Sequence, residues 1–277
     1  MIAVELRKLF RRPRTWVTIG LLNALPVLVA VLLAVTDLAP RPGEGPVFLS
    51  AVLTNGTLYP LAALAIVLPL FLPIAVALIA GDSVAGEAQS GTLRYLLARP
   101  AGRTRLLVAK LLSVFAFVLV TVVVVAAVGY LVGQLLFDVQ PIGATIGGAG
   151  GTTGLSGTTL TPADIVGRTL LAIGYVTVSM LGVAAFALFF STLTDSPLVA
   201  MLGALGILVA SSLLFTLDAA SSIAPYLPTR YWLAFVDFFR VPILWRDVVR
   251  GLALQGVYVA VLLGAAWANF TTKDVTS

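Results

Sequence analysis

Basic side chains are concentrated in one stretch of an otherwise apolar chain. The stretch GEAQSGTLRYLLARPAGRTRLLVAK, residues 86–110, contains four arginines and one lysine, whereas the whole chain is 60% hydrophobic and only 10% charged. Guanidinium and ammonium groups are unfavourable in lipid, so they must meet partners outside it. The chemistry that this stretch predicts is therefore ion pairing and hydrogen bonding with acidic groups at or beyond the membrane surface.

Two residue types that carry much of enzyme chemistry do not occur in the sequence. The 277 residues include no cysteine and no histidine. This composition excludes disulfides, thiolate chemistry, histidine-ligated metals, haem with an axial histidine and a Ser–His catalytic pair. We therefore expect no catalytic, cofactor-binding or metal site in this chain.

The composition places the elements around this stretch in a membrane. A mean hydropathy of +1.07 is far above that of a soluble domain, whose surface needs roughly 25% charged residues. A helix crosses the bilayer core with about 20 apolar residues. The sequence offers six such spans, approximately 15–36, 58–80, 106–136, 166–191, 197–217 and 249–270. We interpret the first as a retained signal anchor, because its apolar core is longer than that of a signal peptide.

The distribution of charge predicts an orientation for these spans. With the N-terminus inside the cell, the cytoplasmic segments hold 11 of the 17 Lys and Arg residues, and the outer segments hold seven of the 12 acidic residues. The positive-inside rule therefore favours both termini inside. The net charge of +5 follows from basic residues that flank apolar spans, so we expect no nucleic-acid binding.

The run GGAGGTTGLSGTT at residues 147–159 is rich in glycine but does not match a phosphate-binding loop. A Walker A loop requires Gly-Lys-Ser/Thr, and the chain has no lysine between Lys110 and Lys273. We interpret the run as a flexible external loop. The sequence thus predicts that this chain is not an ATPase.

A short helix is predicted inside the basic stretch. Gly91 and Pro100 bound the segment Thr92–Arg99, because glycine weakens a helix by about 1 kcal/mol and proline disfavours helix before it. The segment carries an apolar face at spacing i, i+3 and i+4, formed by Leu93, Leu96 and Leu97. Arg105 and Lys110 are then expected to extend to the lipid headgroups from the start of the third span. Anchoring by the positive-inside rule alone is the alternative explanation of the stretch.

The basic stretch resembles the loop between the second and third spans of ABC-2 type transporter permeases. The matching residues are Glu87, Gly91, Thr92, Leu93, Arg94, Leu97, Pro100, Arg103 and Lys110. The family's C-terminal pattern, an aromatic residue followed by a basic residue and Asp, appears as Phe270, Lys273 and Asp274. Its amphipathic N-terminal helix corresponds to residues 1–14, which combine apolar and basic side chains before Pro13.

This resemblance implies an all-α integral membrane fold with six transmembrane helices, both termini inside, of the ABC-2, type V exporter-like class. The whole chain, 1–277, would be one permease domain, with a cytoplasmic coupling loop at 81–105 and an external loop at 218–248. In such transporters a coupling helix docks on a separate ATPase. That interface would consist here of Glu87, Gly91, Thr92, Leu93, Arg94, Leu96, Leu97, Arg99 and Arg103.

The resemblance also implies partners and a location. An ABC ATPase subunit in two copies would bind ATP and magnesium, so no cofactor is expected in this chain. A second permease chain, the same or different, would complete the transporter. Export of a hydrophobic or amphipathic substrate across the plasma (inner) membrane of a bacterium or archaeon is the activity that the resemblance implies.

A second patterned segment precedes the sixth span. Between Arg230 and Arg240, five aromatic residues fall on one helical face, namely Tyr231, Trp232, Phe235, Phe238 and Phe239. Arg230, Asp237 and Arg240 fall on the opposite face. The pattern is typical of an amphipathic helix that lies in the outer interface or re-enters the bundle, and it resembles the external helices of ABC-2 permeases. An aromatic belt that only anchors the sixth span is the alternative.

Within the spans the sequence predicts shape rather than chemistry. Pro60, Pro69 and Pro73 are expected to bend the second span, and Gly129 and Gly133 permit close packing of the third. The second and fifth spans carry no charged residue, which argues against a proton or sodium relay. An uncharged path favours a lipid-like or hydrophobic substrate.

Two other function classes remain open at this point. A non-transporting membrane scaffold or assembly factor needs only the spans and the basic loop. A secondary carrier fits less well, because such carriers typically show inverted repeats and a polar site near the midplane.

Overall fold

The structure, a computed structural model, describes residues 2–36, 56–92, 103–137, 152–153, 155, 159–217 and 221–272. Among these residues the architecture is helical, apart from one antiparallel pair of two-residue strands, Thr152–Thr153 and Thr159–Leu160. Six of the helices are long and apolar enough to cross a membrane. The chain is therefore an all-α, multi-pass membrane protein.

The α-helices of the described residues are numbered in chain order. They are α1 Ile2–Arg11, α2 Pro13–Val35, α3 Tyr59–Val67, α4 Phe71–Gln89, α5 Arg103–Leu136, α6 Pro162–Leu193, α7 Pro197–Phe215 and α8 Trp245–Thr272. Short 3-10 helices lie between them at Gly56–Leu58, Ala224–Tyr226 and Trp232–Phe239.

Prolines and one capping box set several helix starts. Pro13, Pro162 and Pro197 occupy the first positions of α2, α6 and α7, where the missing N–H has no intrahelical partner to lose. Thr161 and Asp164 close the first turn of α6 with reciprocal hydrogen bonds. Pro13 also separates α2 from α1, because a proline inside a helix removes a backbone hydrogen bond.

The second predicted span is not one continuous helix. The expected segment 58–80 is instead α3, a break at residues 68–70, and α4. Pro69 lies in the break, since it has no N–H with which to continue α3. Pro60 and Pro73 lie in the first turns of α3 and α4, where a proline displaces no helical hydrogen bond. The three expected bends therefore reduce to one interruption, at Pro69.

The helix that follows the break runs further than predicted. Residues 81–89, which we assigned to the coupling loop, are the last turns of α4. Asp82 and Glu87 lie in these turns, and both carboxylates are paired with cations from outside α4. Because α5 begins at Arg103, the segment that connects α4 with α5 is shorter than expected.

The two halves of the second span pack against different helices. α3 packs against α5, and a Cβ on Gly129 of α5 would lie 2.9 Å from the Cβ of Ala63. α4 packs against α6 and α7, and a Cβ on Gly81 would lie 3.2 Å from the backbone nitrogen of Met201. Small residues thus allow close helix contact on both sides of the break.

The bundle has two ends of different character. The basic end is the one where α1, the end of α4 and the start of α5 meet. Phe270, near the end of α8, shares a buried cluster there with Val84 and Leu106, so α1 and the last turn of α8 lie at the same end. The aromatic end carries the 3-10 helix Trp232–Phe239.

Candidate functional site

The candidate site lies at the basic end, on a buried carboxylate that two lysines share. The Nζ atom of Lys8 lies 2.7 Å from Glu87 Oε1, and the Nζ atom of Lys110 lies 2.6 Å from Glu87 Oε2. Lys110 also donates a hydrogen bond to the carbonyl oxygen of Ser83. Lys110 is 1% exposed and Glu87 is 5% exposed, so each of these charges needs the other to remain in the interior.

The Glu87 carboxylate joins three helices, because its partners come from α1 and α5 while it belongs to α4. This arrangement corrects the expectation that Lys110 extends to the headgroups, which is wrong. A lysine stem reaches for the membrane surface when its charge has no partner inside the protein, whereas Lys110 has a carboxylate and a backbone carbonyl within reach.

A second carboxylate at the basic end is also shared by two cations. Arg12 Nη1 donates a hydrogen bond to Asp82 Oδ2 at 3.1 Å, and Arg14 Nη1 lies 3.8 Å from the same oxygen. Gly86 makes room for this carboxylate, since a Cβ at that position would collide with Asp82. The side chains of Arg12 and Arg14 are each 48% exposed, so each pair contributes about 1 kcal/mol or less.

A cavity of about 260 Å³ lies between these two carboxylates. Its wall is formed by α1, the start of α2, the end of α4 and the start of α5. Besides the charged groups, the hydroxyl side chains of Ser90 and Thr92 line it. Charged and hydroxyl side chains therefore meet in this cavity, at the point where the chain leaves α4.

A hydroxyl of α6 is inserted into the backbone of α4 just before Glu87. Ser191 Oγ accepts hydrogen bonds from the N–H groups of Ala85, at 2.8 Å, and Val84, at 3.2 Å. The same hydroxyl donates to the carbonyl oxygen of Gly81 at 2.7 Å. α6 is therefore fixed to the turn of α4 that precedes the shared carboxylate, through groups that must be hydrogen-bonded when buried.

The residues predicted to couple to an ATPase begin at this junction. Gly91 has φ +69° where the chain leaves α4, a conformation that favours glycine. Thr92 Oγ1 donates a hydrogen bond to the carbonyl oxygen of Glu87 at 3.3 Å, and Arg103 begins α5. The other residues of the predicted coupling interface lie outside the described residues, namely Leu93, Arg94, Leu96, Leu97 and Arg99. The coupling helix itself stays a prediction.

The aromatic segment predicted before the sixth span packs onto α6 and α8 as a 3-10 helix. Its aromatic face is turned into the protein, with Tyr231 half-buried and four side chains buried, Trp232, Phe235, Phe238 and Phe239. On the other face Arg230 is exposed and stacks over the Phe215 ring at 4.3 Å. Protein, rather than lipid, thus covers most of the aromatic face.

Two side chains of α6 hold the backbone of this 3-10 helix at its two ends. The Tyr175 hydroxyl donates a hydrogen bond to the carbonyl oxygen of Tyr231 at 2.6 Å. Arg168 donates to the carbonyl oxygens of Phe238, at 2.8 Å, and Arg240, at 2.9 Å. The bonds from Arg168 satisfy carbonyl groups that the C-terminal end of a helix leaves without partners, whereas the Tyr231 carbonyl also accepts a hydrogen bond from the N–H of Ala234 at 3.0 Å.

A smaller cavity of about 160 Å³ lies where the break in the second span faces α7. It is lined by Pro69 and Leu70 from the break, by Pro73 of α4 and by Leu208 of α7. Trp232 of the 3-10 helix closes it, and the buried indole N–H of this residue has no hydrogen-bond partner among the described residues. The cavity is therefore mainly apolar, with the Trp232 indole N–H and the Ser212 hydroxyl as polar groups in its lining.

Comparison with known proteins assigns the chain to a family. The family model described as "Protein of unknown function (DUF2705)" matches residues 46–276. The chain belongs to the DUF2705 family. No curated protein matches the sequence significantly. The matched region includes Glu87, Lys110 and Ser191, whereas Lys8 and Arg12 precede it.

Sequence reasoning did not find several residues of the site in this DUF2705 protein. The sequence predicts Lys8 on an amphipathic helix and Asp82 in a loop, without pairing either of them. Their opposite charges and their position on the same predicted side of the membrane are a usable signal. Ser191 and Arg168 gave no such signal. A serine in an apolar span and an arginine next to one are both common, and only the fold shows which carbonyl groups they reach.

Proposed function

We propose that this DUF2705 protein is the membrane-spanning permease subunit of an ABC transporter that exports a hydrophobic or amphipathic substrate. A separate ATPase subunit, in two copies, binds ATP and magnesium and supplies the energy. A second permease chain completes the assembly in the plasma membrane of a bacterium or archaeon. The basic end faces the cytoplasm, in accordance with the positive-inside rule.

The shared carboxylate at Glu87 is the observation that supports this proposal most. A permease must convert a movement of its cytoplasmic loop into a movement of its spans. The segment between α4 and α5 connects two helices that are also joined by the Glu87–Lys110 ion pair. Lys8 of α1 binds the same carboxylate. A displacement of this segment would therefore act on α1, α4 and α5 together, and on α6 through Ser191.

The alternative, a passive membrane scaffold, needs basic residues at the surface but no buried charges. Burying Glu87 and Lys110 carries a desolvation penalty that an apolar pair of similar size would avoid. A mechanical connection between helices gives a reason for such an arrangement, whereas anchoring does not. The mainly apolar cavity at Pro69 and Trp232 further favours a path for hydrophobic molecules.

Co-purification with an ABC-type ATPase from the native cell, followed by reconstitution of the two subunits, tests the proposal. Both subunits are co-expressed, purified in detergent and placed in lipid nanodiscs, and bound ATPase per permease and ATP hydrolysis are measured. Leu97→Ala should weaken docking roughly thirtyfold, since it removes about 2 kcal/mol of apolar contact from an interface. Leu244→Ala is the matched control, because Leu244 is exposed near the aromatic end.

The proposal predicts a stable complex whose hydrolysis depends on the permease and falls only with Leu97→Ala. A permease that retains no ATPase contradicts the proposal. A complex whose composition and hydrolysis are unchanged by Leu97→Ala favours the scaffold instead, since the basic loop would then act only as an anchor.

A further inference from the structure

The cavity at the basic end has an excess of positive charge. Its charged lining consists of four cations, Lys8, Arg12, Arg14 and Lys110, and three carboxylates, Glu5, Asp82 and Glu87. Glu87 and Asp82 are each already shared by two of those cations. An additional anion in the cavity would balance the remaining charge.

The arginines of the cavity keep hydrogen-bond donors for such an anion. Arg12 uses one terminal nitrogen for Asp82, and its other N–H groups have no partner among the described residues. Arg14 lies 3.8 Å from Asp82, which is an ion pair but too long for a hydrogen bond. Two planar guanidinium groups side by side match the oxygen geometry of a phosphate group.

The surroundings of the cavity place it at the depth of lipid headgroups. Its wall is made where α2 begins, α4 ends and α5 begins, and each of these helices is long and apolar enough to cross a membrane. Trp16, near the start of α2, is 53% exposed and donates its indole N–H to the carbonyl oxygen of Phe10. An exposed tryptophan at a helix end is typical of the membrane–water interface.

An apolar stripe on α2 continues from the cavity into the membrane-spanning part of the helix. Val17, Leu21 and Leu28 follow Arg14 at i+3, i+7 and i+14 and therefore share its face of α2. Their exposed fractions are 59%, 68% and 62%. A phosphate bound at Arg14 would thus lie at one end of this apolar stripe, and an acyl chain could pack along the rest of it.

We propose that the cavity binds the phosphate group of an anionic phospholipid, with an acyl chain along the stripe Val17, Leu21 and Leu28. A soluble phosphate compound offers the same oxygens but leaves the stripe uncovered, so the observations favour the lipid. The bound lipid would fasten α1 and the start of α2 to the rest of the basic end. This site does not depend on pairing with an ATPase.

Binding of short-chain lipids to the full chain, purified in an uncharged detergent, tests the proposal. The probes are dioctanoyl phosphatidylglycerol, dioctanoyl phosphatidylcholine and glycerol 3-phosphate. We expect the first to bind at least tenfold more tightly than the other two. The double variant Arg12→Gln/Arg14→Gln should weaken binding of phosphatidylglycerol about thirtyfold, because each basic group near a phosphate contributes about 1 kcal/mol.

Two further variants separate binding from damage to the fold. Arg246→Gln/Arg250→Gln removes the same charge from exposed positions at the start of α8 and should leave binding unchanged. Asp82→Asn removes a carboxylate that competes for both arginines, so it should tighten binding of phosphatidylglycerol severalfold, whereas a damaged fold would weaken it.

Three results would overturn the proposal. Equal binding of phosphatidylcholine would show non-selective lipid contact with the bundle, and equal binding of glycerol 3-phosphate would show a soluble ligand. An equal loss in the Arg246/Arg250 control would show a general effect of net charge. Where the Arg12/Arg14 variant does not fold, Asp82→Asn decides: tighter binding supports the proposal, and unchanged or weaker binding refutes it.

Discussion

The two ends of the bundle are held together by different chemistry. At the basic end, helices meet on carboxylates, and Glu87 joins α1 and α5 to α4 through two lysines. At the aromatic end, the 3-10 helix buries four aromatic rings, and Tyr175 and Arg168 of α6 hold its backbone carbonyl groups. One end depends on charges in pairs, and the other on apolar area and hydrogen-bonded backbone.

This difference has a consequence for how each end tolerates movement. A buried ion pair is stable only while both partners are in place, and separating the partners leaves a charge in a poor solvent. Buried aromatic area is lost gradually as a contact opens, because its contribution is roughly proportional to area. When its helices separate, the basic end should therefore lose its stabilisation in an all-or-none manner, whereas the aromatic end should lose it gradually.

The largest effect is expected for Glu87→Gln, which keeps the shape of the side chain and removes its charge. Lys110 would then be buried without a counter-charge, which lowers the free energy of unfolding by about 3 kcal/mol. Unfolding in mixed micelles with increasing SDS measures the change. Asp247→Asn, at an exposed carboxylate in the first turn of α8, is the control and should change little.

The double variant Glu87→Gln/Lys110→Met shows whether the loss comes from the unpaired charge. Replacing both partners of a buried pair by uncharged groups is often close to neutral, so the second substitution should restore most of the stability. If the double variant is as unstable as Glu87→Gln alone, packing rather than charge holds the basic end, and the contrast between the two ends disappears.

A somewhat smaller effect is expected for Phe235→Ala at the aromatic end. Phe235 is 0% exposed, and truncating a buried phenylalanine typically costs about 3 kcal/mol, less any relaxation of the neighbouring rings. The melting temperature in detergent should fall clearly. Leu233→Ala, two residues before Phe235 and 47% exposed, should leave the melting temperature nearly unchanged. An equal fall in both variants would mean that the segment is not packed on the bundle.

Arg168→Gln should loosen the 3-10 helix without unfolding the bundle. The substitution removes hydrogen bonds to the carbonyl oxygens of Phe238 and Arg240, and charge-assisted bonds of this kind contribute about 2 kcal/mol. Because the chain has no cysteine, Ala234→Cys gives a unique thiol whose labelling rate reports local opening. The rate should rise about tenfold or more, and Arg250→Gln in the same background should leave it unchanged.

The smallest effect is expected for Ser191→Ala. The hydroxyl bonds to Gly81, Val84 and Ala85 of α4, but the N–H of Ala85 and the carbonyl of Gly81 can bond to each other in a regular helix. The net loss in unfolding free energy should therefore be about 1 kcal/mol. Ser212→Ala on the exposed face of α7 is the comparison. A loss as large as that of Glu87→Gln would mean that α4 cannot close its own backbone there.

Hydropathy was sufficient to find five of the six long apolar helices and the region of the other, because the bilayer sets their length and composition. The long helix of that region, Phe71–Gln89, begins and ends later than the predicted span 58–80. Hydropathy was not sufficient to place the break at Pro69, because three prolines in one apolar segment look alike in sequence. Only Pro69 lies where a backbone N–H would be needed to continue α3, whereas Pro60 and Pro73 lie in the first turns of their helices.

The sequence named Glu87 only as part of the ATPase-coupling interface, which stays a prediction, and did not predict the ion pairs of its carboxylate. The sequence shows that a carboxylate stands near a membrane end, but the identity of its partners depends on which helices are neighbours. Lys8 lies 79 positions before Glu87, and Lys110 was assigned to the membrane surface because lysines at span ends usually lie there. Side-chain pairs of this kind require the packing of α1, α4 and α5.

The interruption at residues 68–70 divides the second span into two separate helices, α3 and α4. α3 is seated on α5 and α4 is seated on α6 and α7, and no backbone ladder runs through Pro69 to transmit twist between them. The three residues can thus act as a hinge between α3 and α4. A force applied at Glu87 could tilt α4 together with α6 and α7 while α3 stays packed on Gly129 of α5. A small displacement at one membrane surface would then change the angle between the two halves of the second span.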